Sequence, residues 1–332
     1  MSSTNAPDIE PVRFADVEQA SARIASIAQR TPVMTSRGFN REAGLSVFFK
    51  CENLQRGGAF KIRGASNFIF SIPTEQREKG VVAFSSGNHA QAVAIAACEA
   101  GIKATLVMPQ DAPKAKLEAT RAQGSQIILY DRFKEDREAL GARVAAQTGA
   151  TLVPPYDHPL IIAGQGTAAM ELLREAPDLD ALLVPIGGGG LISGSSIAAK
   201  AMRPGIRIFG VEPERANDTY LSLKAGERTE ISPPDTIADG LRSPKPGAIT
   251  FPIIQRNVEE VLLVTEAEIM EAMRFLLARM KMLVEPSGAV AAAAALFRKL
   301  PPHIERAGVI LSGGNVDSDQ LARVLMDNLR AS

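Results

Sequence analysis

Short apolar runs alternate with longer alanine-rich segments along most of this 332-residue chain, and this alternation constrains the fold more than any other feature. The short runs have the length of buried strands, and the alanine-rich segments have the length and composition of helices. Strands that alternate with helices indicate an α/β fold with a mostly parallel sheet. We predict helices in most of the gaps between strands at residues 47–50, 81–84, 105–108, 126–130, 182–186, 206–211, 261–264 and 309–311.

The segment 75–155 repeats the order strand, small-residue loop, helix, which describes a compact doubly wound unit. We predict that this unit is a small domain inserted into a larger one, which is built from residues 1–74 and 156–332. The Pro-rich segment 151–159 marks the return of the chain to the larger domain. Pro and Gly are also frequent in 232–252, which we expect to form a long ordered loop.

Charge and cysteine content exclude several classes of function. Lys plus Arg and Asp plus Glu both number 37, so the formal net charge is zero and nothing attracts nucleic acid or a membrane surface. The two cysteines, Cys51 and Cys98, have neither metal-site nor redox-motif spacing. No apolar stretch reads as a signal peptide or a membrane span. We therefore expect a cytoplasmic protein that acts on a small molecule, with no nucleic-acid or membrane partner.

Lys61 lies between apolar neighbours in the glycine-containing segment Gly-Gly-Ala-Phe-Lys-Ile-Arg-Gly-Ala, residues 57–65. Removal from water disfavours the ammonium and lowers its pKa, which leaves an amine able to form a Schiff base with an aldehyde. The alternative is a lysine whose stem packs against the protein while its ammonium reaches water. This segment alone does not distinguish the two.

Four glycines, Gly187 to Gly190, follow the apolar strand 182–186 and precede a small-residue helix. Backbone N–H groups can turn inward in such a loop, and the helix N-terminus adds a partial positive charge, so the loop is suited to a phosphate. A nucleotide P-loop would end in Gly-Lys-Ser/Thr, which is absent. The dinucleotide fingerprint nearly fits at Gly188 and Gly190, with Ser193 in place of the third glycine and Glu212 at the ribose position. A nicotinamide cofactor therefore stays as an alternative.

The segment Ser85-Ser86-Gly87-Asn88-His89 follows strand 81–84 and opens a helix. Hydroxyls, an amide and free N–H groups at a helix start can bind a carboxylate or a phenolate oxygen. The alternative is that one of these residues simply caps the helix. Capping needs one polar side chain, whereas four occur here.

These three motifs, together with Ser312-Gly313-Gly314-Asn315, resemble the fold type II pyridoxal-phosphate enzymes, and most closely the threonine/serine dehydratase and serine racemase family. The resemblance runs from about Arg13 to the end of the chain. It implies an enzyme with two open, twisted, mostly parallel sheets flanked by helices and with pyridoxal 5′-phosphate (PLP) in the cleft between two domains. It also implies a homo-oligomer, either a dimer or a tetramer.

The resemblance further implies roles for single residues around PLP. Lys61 would hold the cofactor and take the Cα proton, Asn88 would bind the 3-hydroxyl of the ring, and Ser312 would face the ring nitrogen. The other cofactor-binding residues would be Phe60, Gly187, Gly188, Gly189, Gly190 and Leu191. The substrate-binding residues would be Ser85, Ser86, Asn88, His89 and Arg137.

The expected reaction is elimination of water from a β-hydroxy L-amino acid, threonine or serine, to give a 2-oxo acid and ammonia. L-threo- or erythro-3-hydroxyaspartate elimination and serine racemisation remain alternatives. Ser86 matches a residue that returns a proton in racemases, whereas Tyr156-Asp157 resembles the aromatic-Asp pair of dehydratases. A second substrate carboxylate would need a cation, which Arg137, Arg63 or Arg242 could supply.

Glu212, Ala216 and Asp218 offer two carboxylates and a backbone carbonyl within seven residues. Oxygen ligands suit Mg²⁺, Mn²⁺ or Ca²⁺, and the spacing resembles the divalent-cation site of the family. A solvated acidic loop is the alternative. Glu285 either borders the cofactor pocket, as the resemblance implies, or caps the helix that follows it.

Overall fold

The computed structural model describes residues 12–85, 87–112, 114–131 and 134–326, and its strands form two sheets. The larger sheet has six strands in the order β1, β2, β10, β7, β8, β9 and is parallel except for the β1–β2 pair. These strands are β1 (Val33–Met34), β2 (Ser46–Cys51), β7 (Ala181–Pro185), β8 (Arg207–Pro213), β9 (Glu260–Val264) and β10 (Arg306–Leu311).

The smaller sheet has four parallel strands in the order β5, β4, β3, β6. They are β3 (Val81–Phe84), β4 (Ala104–Pro109), β5 (Gln126–Tyr130) and β6 (Thr151–Leu152). All four fall inside the segment 75–155 that the sequence assigns to a small domain. The two sheets, each flanked by helices, confirm the α/β architecture, while the domain boundaries stay a prediction.

Helices connect the strands in both halves of the chain. They are α1 (Phe14–Arg23), α2 (Arg37–Ala43), α3 (Lys61–Phe70), α4 (Thr74–Arg77), α5 (Asn88–Glu99), α6 (Lys114–Ala122), α7 (Arg137–Thr148), α8 (Pro159–Glu175), α9 (Gly190–Met202), α10 (Asp218–Ala225), α11 (Thr250–Asn257), α12 (Glu266–Met280), α13 (Pro286–Leu296) and α14 (Ser318–Met326). In the ranges that the structure describes, no helix is both long and apolar enough to cross a bilayer.

Helix α9, which follows β7, packs closely against α8. A Cβ atom added to Gly194 would lie 2.0 Å from the carbonyl oxygen of Ile162, and one added to Gly166 would lie 2.6 Å from the carbonyl oxygen of Gly194. Glycine is therefore required where the two backbones touch. Residues from Gly190 to Ala199 of α9 are all buried, which holds this helix rigidly in place.

Each strand predicted from the sequence overlaps a strand of the structure. The prediction missed β1 and β6 because a two-residue strand leaves no apolar run to detect. The expected loop 232–252 contains a short 3₁₀ helix at Asp239–Leu241, and its last residues already belong to α11.

Candidate active site

Loops that follow four strands of the two sheets meet around the Lys61 side chain. The contacts that join them are those of Pro155 with Lys61, of Tyr156 with Gly188, and of Asn315 with Asn88. Pro155 and Tyr156 follow β6, and Gly188 follows β7. Asn88 follows β3, and Asn315 follows β10. Ligands of open parallel sheets bind at such carboxyl ends, so this meeting point is the candidate active site.

Lys61 is the first residue of α3, and its side chain is partly buried. Its Nζ donates a hydrogen bond to the carbonyl oxygen of Pro155 at 2.9 Å and lies 5.2 Å from the centroid of the Phe60 ring. Burial lowers the pKa of Lys61 to about 8, although the charge of Glu285 acts in the opposite direction. An amine with this pKa is partly neutral near neutral pH, which suits a nucleophile that reacts with an aldehyde.

The four-glycine loop forms a cradle at the start of α9. Gly189 has a φ of +93°, in the left-handed region that favours glycine, and a Cβ atom at Gly188 would lie 2.4 Å from the Tyr156 ring. The Thr250 hydroxyl donates to the Gly188 carbonyl oxygen at 2.7 Å and so turns this carbonyl out of the cradle. The first N–H groups of a helix have no intrahelical acceptor. The loop can therefore offer them to a phosphate.

Asp157 ties the segment after β6 to the start of α11. Its carboxylate accepts hydrogen bonds from the backbone N–H groups of Ala248, Ile249 and Thr250 at 2.7, 2.9 and 3.1 Å. Since Thr250 in turn holds the glycine loop, Asp157 supports the cradle indirectly. The sequence indicated that Tyr156-Asp157 matters but not that the aspartate works through the backbone.

The loop after β3 brings Asn88 and His89 into the same region. Asn88 Nδ2 donates to Glu285 Oε1 at 2.7 Å, and Asn88 Oδ1 accepts from Asn315 Nδ2 at 2.9 Å. His89 is buried with Nε2 at 3.1 Å from the Val153 carbonyl oxygen, which leaves Nδ1 for a ligand. Burial and the charge of Lys61 lower the pKa of His89 to about 3, so this imidazole is neutral.

Two serines of this loop complete the predicted set. The Ser85 hydroxyl accepts a hydrogen bond from the Gly87 N–H at 3.2 Å. Ser86 lies outside the described residues. Ser312, in the loop after β10, is buried. Its hydroxyl donates to the Ser287 carbonyl oxygen at 3.4 Å, and its own carbonyl oxygen accepts from the Phe60 N–H.

Glu212, Ala216 and Asp218 are fully buried, so the alternative of a solvated acidic loop is wrong. Glu212 accepts hydrogen bonds from the N–H groups of Thr219 and Tyr220, whereas neither carboxylate oxygen of Asp218 has a hydrogen-bond partner among the described residues. Burial raises the pKa of Asp218 to about 7, and burial together with Asp218 raises that of Glu212.

The Asp218 carboxylate, with no hydrogen-bond partner for either oxygen among the described residues, fits a cation together with the buried Glu212 carboxylate, because an uncompensated buried charge is costly. The described part of the chain has no cluster of three or more His, Cys, Asp or Glu side chains arranged for a metal ion. Any cation at Glu212 and Asp218 would therefore take its further ligands from backbone oxygen, as at Ala216, or from water.

Of the three arginines considered for a substrate carboxylate, Arg63 is excluded by its contacts. Its buried guanidinium forms paired hydrogen bonds with Glu52 at 2.7 and 2.8 Å and with Glu171 at 2.8 Å. Arg242 is exposed and donates through Nε and Nη2 to the Thr236 carbonyl oxygen. Arg137 is exposed at the first residue of α7.

Glu285 is a site residue whose place the sequence left open. It does not cap α13 through its side chain. Its carboxylate lies instead against Gly313, where an added Cβ atom would be 2.2 Å from Oε1, and contacts Asn88. The Glu-Pro-Ser-Gly sequence alone does not distinguish a carboxylate that caps α13 from one that contacts Gly313 and Asn88.

Comparison with known proteins assigns the family. Residues 24–313 match the family model described as pyridoxal-phosphate dependent enzyme. The chain belongs to this family. The membership confirms the resemblance seen in the motifs and favours PLP over the nicotinamide alternative.

Relatives cover nearly the whole chain. A Saccharomyces cerevisiae protein named L-threo-3-hydroxyaspartate ammonia-lyase is 50% identical over 312 residues, which cover 94% of this chain and 96% of the relative. A Pseudomonas protein of the same name is also 50% identical over 312 residues, with 94% and 98% covered. The structure of maize serine racemase superposes with a TM-score of 0.90 at 44% identity and covers 96% of this chain and 98% of its own.

Proposed function

We propose that this protein is a PLP-dependent ammonia-lyase that eliminates water from 3-hydroxy L-amino acids and releases a 2-oxo acid and ammonia. The observation that carries the proposal is the Lys61 amine, whose pKa burial lowers to about 8 and which donates to the Pro155 carbonyl oxygen, next to the Tyr156 ring that contacts the glycine loop. Two relatives that are 50% identical have ammonia-lyase in their names, which supports the same reaction class.

The residues present fit PLP at both of its ends. Lys61 Nζ would hold the cofactor covalently, with Phe60 against its ring. The N–H groups from Gly187 to Leu191 would hold the phosphate, and a Cβ atom at Gly188 or Gly189 would collide with Tyr156 or Thr250. When bound, PLP supplies an electron sink conjugated to the substrate nitrogen, which makes the Cα–H bond acidic.

Lys61 is the proposed base for the Cα proton. Nζ is free to accept this proton once the substrate amine has taken its place on the cofactor, and the proton then leaves with the β-hydroxyl as water. The carbonyl oxygen of Pro155 keeps the amine in place. His89 cannot compete for the proton, because its lowered pKa makes it a poor base.

Ser312 is the proposed partner of the ring nitrogen. A hydroxyl carries no charge, whereas an aspartate in this place would stabilise a protonated ring and a deeper electron sink. A weaker sink favours elimination over transamination. The substrate carboxylate is proposed to bind at the start of α5, to Ser85, Ser86, Asn88 and His89.

Among substrates, we propose that L-threo-3-hydroxyaspartate is accepted beside L-serine and L-threonine. The names of the two relatives support this extension of the sequence-based preference for threonine and serine. Arg137 is the proposed partner of the second carboxylate, because it is exposed at the start of α7, whose Glu138 acts electrostatically on Tyr156 of the site.

The test is release of 2-oxo acid and ammonia from L-serine, L-threonine, D-serine and the 3-hydroxyaspartate diastereomers by PLP-loaded protein. We expect release from at least one 3-hydroxy L-amino acid, and no release from any of them would refute the proposal. Arg137→Met should lower kcat/KM for 3-hydroxyaspartate selectively, by about tenfold or more. Arg143→Met, a matched change at an exposed position of α7, should not.

Serine racemisation is the second candidate, supported by the likeness to maize serine racemase. Ser86 would return a proton on the face opposite Lys61. Ser86→Ala is therefore expected to suppress racemisation and D-serine use while it spares elimination from L-substrates. Equal loss of both activities would assign Ser86 to carboxylate binding instead.

Three further features belong to the same proposal. A divalent cation, Mg²⁺, Mn²⁺ or Ca²⁺, would bind at Glu212, Ala216 and Asp218. The protein would act in the cytoplasm as a homo-oligomer, a dimer or a tetramer. Residues 75–155 would form the small domain and residues 1–74 and 156–332 the large one, with the cofactor in the cleft between them.

A further inference from the structure

A chain of hydrogen bonds links Glu285 to Gly57 through two asparagine amides. Asn315 Nδ2 donates to the Gly57 carbonyl oxygen at 2.7 Å and to Asn88 Oδ1 at 2.9 Å. Asn88 Nδ2 donates in turn to Glu285 Oε1 at 2.7 Å. These hydrogen bonds connect the segment before α3, the loop after β10, the start of α5 and the residue before α13.

The two ends of this chain fix the orientation of both amides. A backbone carbonyl and a carboxylate can only accept hydrogen bonds from an amide. The Gly57 carbonyl therefore requires Nδ2 of Asn315 on its side, and Glu285 requires Nδ2 of Asn88 on its side. With Asn88 Oδ1 already facing Asn315, one N–H of Asn88 Nδ2 is left to point elsewhere.

We propose that Glu285 and Asn315 are positioning residues that hold the Asn88 amide so that its remaining N–H donates to the 3-oxygen of PLP. If the amide flipped, it would place two acceptors, its own Oδ1 and the Glu285 carboxylate, against each other. This inference rests on PLP binding within the proposed function and is independent of the substrate.

Glu285 is held close to the cofactor region by its backbone as well as its side chain. Its N–H donates to the Gly313 carbonyl oxygen at 3.1 Å, and its carboxylate occupies the space that a side chain at position 313 would need. Gly313 pairs with Ala59, two residues before Lys61, in an isolated antiparallel bridge. The carboxylate is therefore locked relative to the α3 start.

The same carboxylate acts on the charge of Lys61. In the described part of the chain, the titratable groups that act with Lys61 are Glu285, before α13, and His89 of α5. Since His89 is neutral, Glu285 supplies the negative charge that opposes the lowering of the Lys61 pKa by burial. The glutamate thus has two separable roles, one as a hydrogen-bond acceptor and one as a charge.

Two substitutions separate these roles. Glu285→Gln keeps an acceptor for Asn88 but removes the charge, while Glu285→Ala removes both. Both are measured without substrate, by the Kd for PLP and by the pH dependence of Lys61 reductive methylation in the PLP-free protein. The ammonia-lyase proposal can therefore fail without affecting this result.

We expect Glu285→Ala to raise the Kd for PLP about tenfold, the effect of losing one oriented hydrogen bond, and Glu285→Gln to change it less than about threefold. Both should lower the pKa of Lys61, because a negative charge is lost. Asn315→Ala frees the other end of the chain and should raise the Kd as Glu285→Ala does, without lowering the Lys61 pKa. Glu271→Gln, an exposed carboxylate on α12, is the control.

Wild-type affinity for PLP in both Glu285→Ala and Asn315→Ala would overturn the positioning role, provided that thermal unfolding shows both to be folded. An unchanged Lys61 pKa in Glu285→Gln would overturn the electrostatic role. If either alanine variant fails to fold, Glu285→Gln and Asn315→Asp replace the pair, and wild-type affinity for PLP in Asn315→Asp then overturns the positioning role.

Discussion

Replacement of Arg63 by Met is expected to be strongly destabilising, because it removes the centre of a buried charge cluster. Arg63 and Glu52 are both completely buried and joined by two hydrogen bonds of 2.7 and 2.8 Å. Arg63 also binds Glu171, which keeps a second cation, since Lys50 Nζ lies 2.7 Å from it. Glu52 is therefore the group that loses its direct counter-charge.

The expected loss in free energy of unfolding at pH 7 is about 3–5 kcal/mol, the usual cost of leaving a buried charge without its partner. Unfolding free energies of domains are about 5–15 kcal/mol, so this is a large fraction of the total. Glu52 keeps the Thr31 hydroxyl at 2.6 Å, which places the loss toward the lower end of that range. Arg63→Met with Glu52→Gln should lose less than Arg63→Met alone, because no charge is stranded.

The loss should also depend on pH. Burial acts to raise the pKa of Glu52, but the charge and hydrogen bonds of Arg63 bring it below the ordinary 4.5. In the wild type, ionised Glu52 stabilises the native state above pH 4.5, and this contribution disappears as the pH falls through the lower folded-state pKa. In Arg63→Met, burial raises the pKa instead, so protonation relieves the variant as the pH falls. The difference between the two proteins should shrink from pH 7 to pH 5.

Urea denaturation followed by circular dichroism at pH 7 and pH 5 measures these differences. Arg30→Met is the matched control, because Arg30 pairs with Glu175 on the surface and such a pair contributes at most about 1 kcal/mol. A loss in Arg63→Met no larger than in Arg30→Met, or one that grows toward pH 5, would refute the reasoning.

Three other substitutions test the proposed site. Lys61→Ala should abolish turnover and the visible absorbance of covalently held PLP while the protein stays folded, and substantial elimination activity in this variant would remove Lys61 from the mechanism. Gly189→Ala, at a φ of +93° and with a Cβ 2.7 Å from the Thr250 hydroxyl, should raise the Kd for PLP by about tenfold or more in equilibrium dialysis; unchanged affinity would place the phosphate elsewhere. Mg²⁺ should raise the melting temperature of the wild type but not of Glu212→Ala, and a chelator without effect on either would argue against the cation site.

The local composition of the sequence sufficed to predict the fold, and it pointed to Lys61 and the glycine loop, whose roles in the candidate site stay predictions. Strand-length apolar runs reveal buried parallel strands because both faces of such a strand are covered. Gly187 to Gly190 and Lys61 stand out for a similar reason: a phosphate cradle and a reactive amine each need an unusual local composition. These features could be found without knowing which segments meet in space.

Tertiary structure alone decided what each polar side chain contacts. Arg63 lies within the conspicuous segment 57–65, and the sequence alone suggested it as a possible cation for the substrate. For Glu285 the sequence left two roles open, at the cofactor pocket or as a helix cap. The fold buries Arg63 between Glu52 and Glu171, and it directs Glu285 to Asn88, which is 197 residues away in the chain. A side chain's partner depends on long-range packing, which brings together residues distant in sequence, whereas strand and loop composition is a local property that the sequence carries by itself.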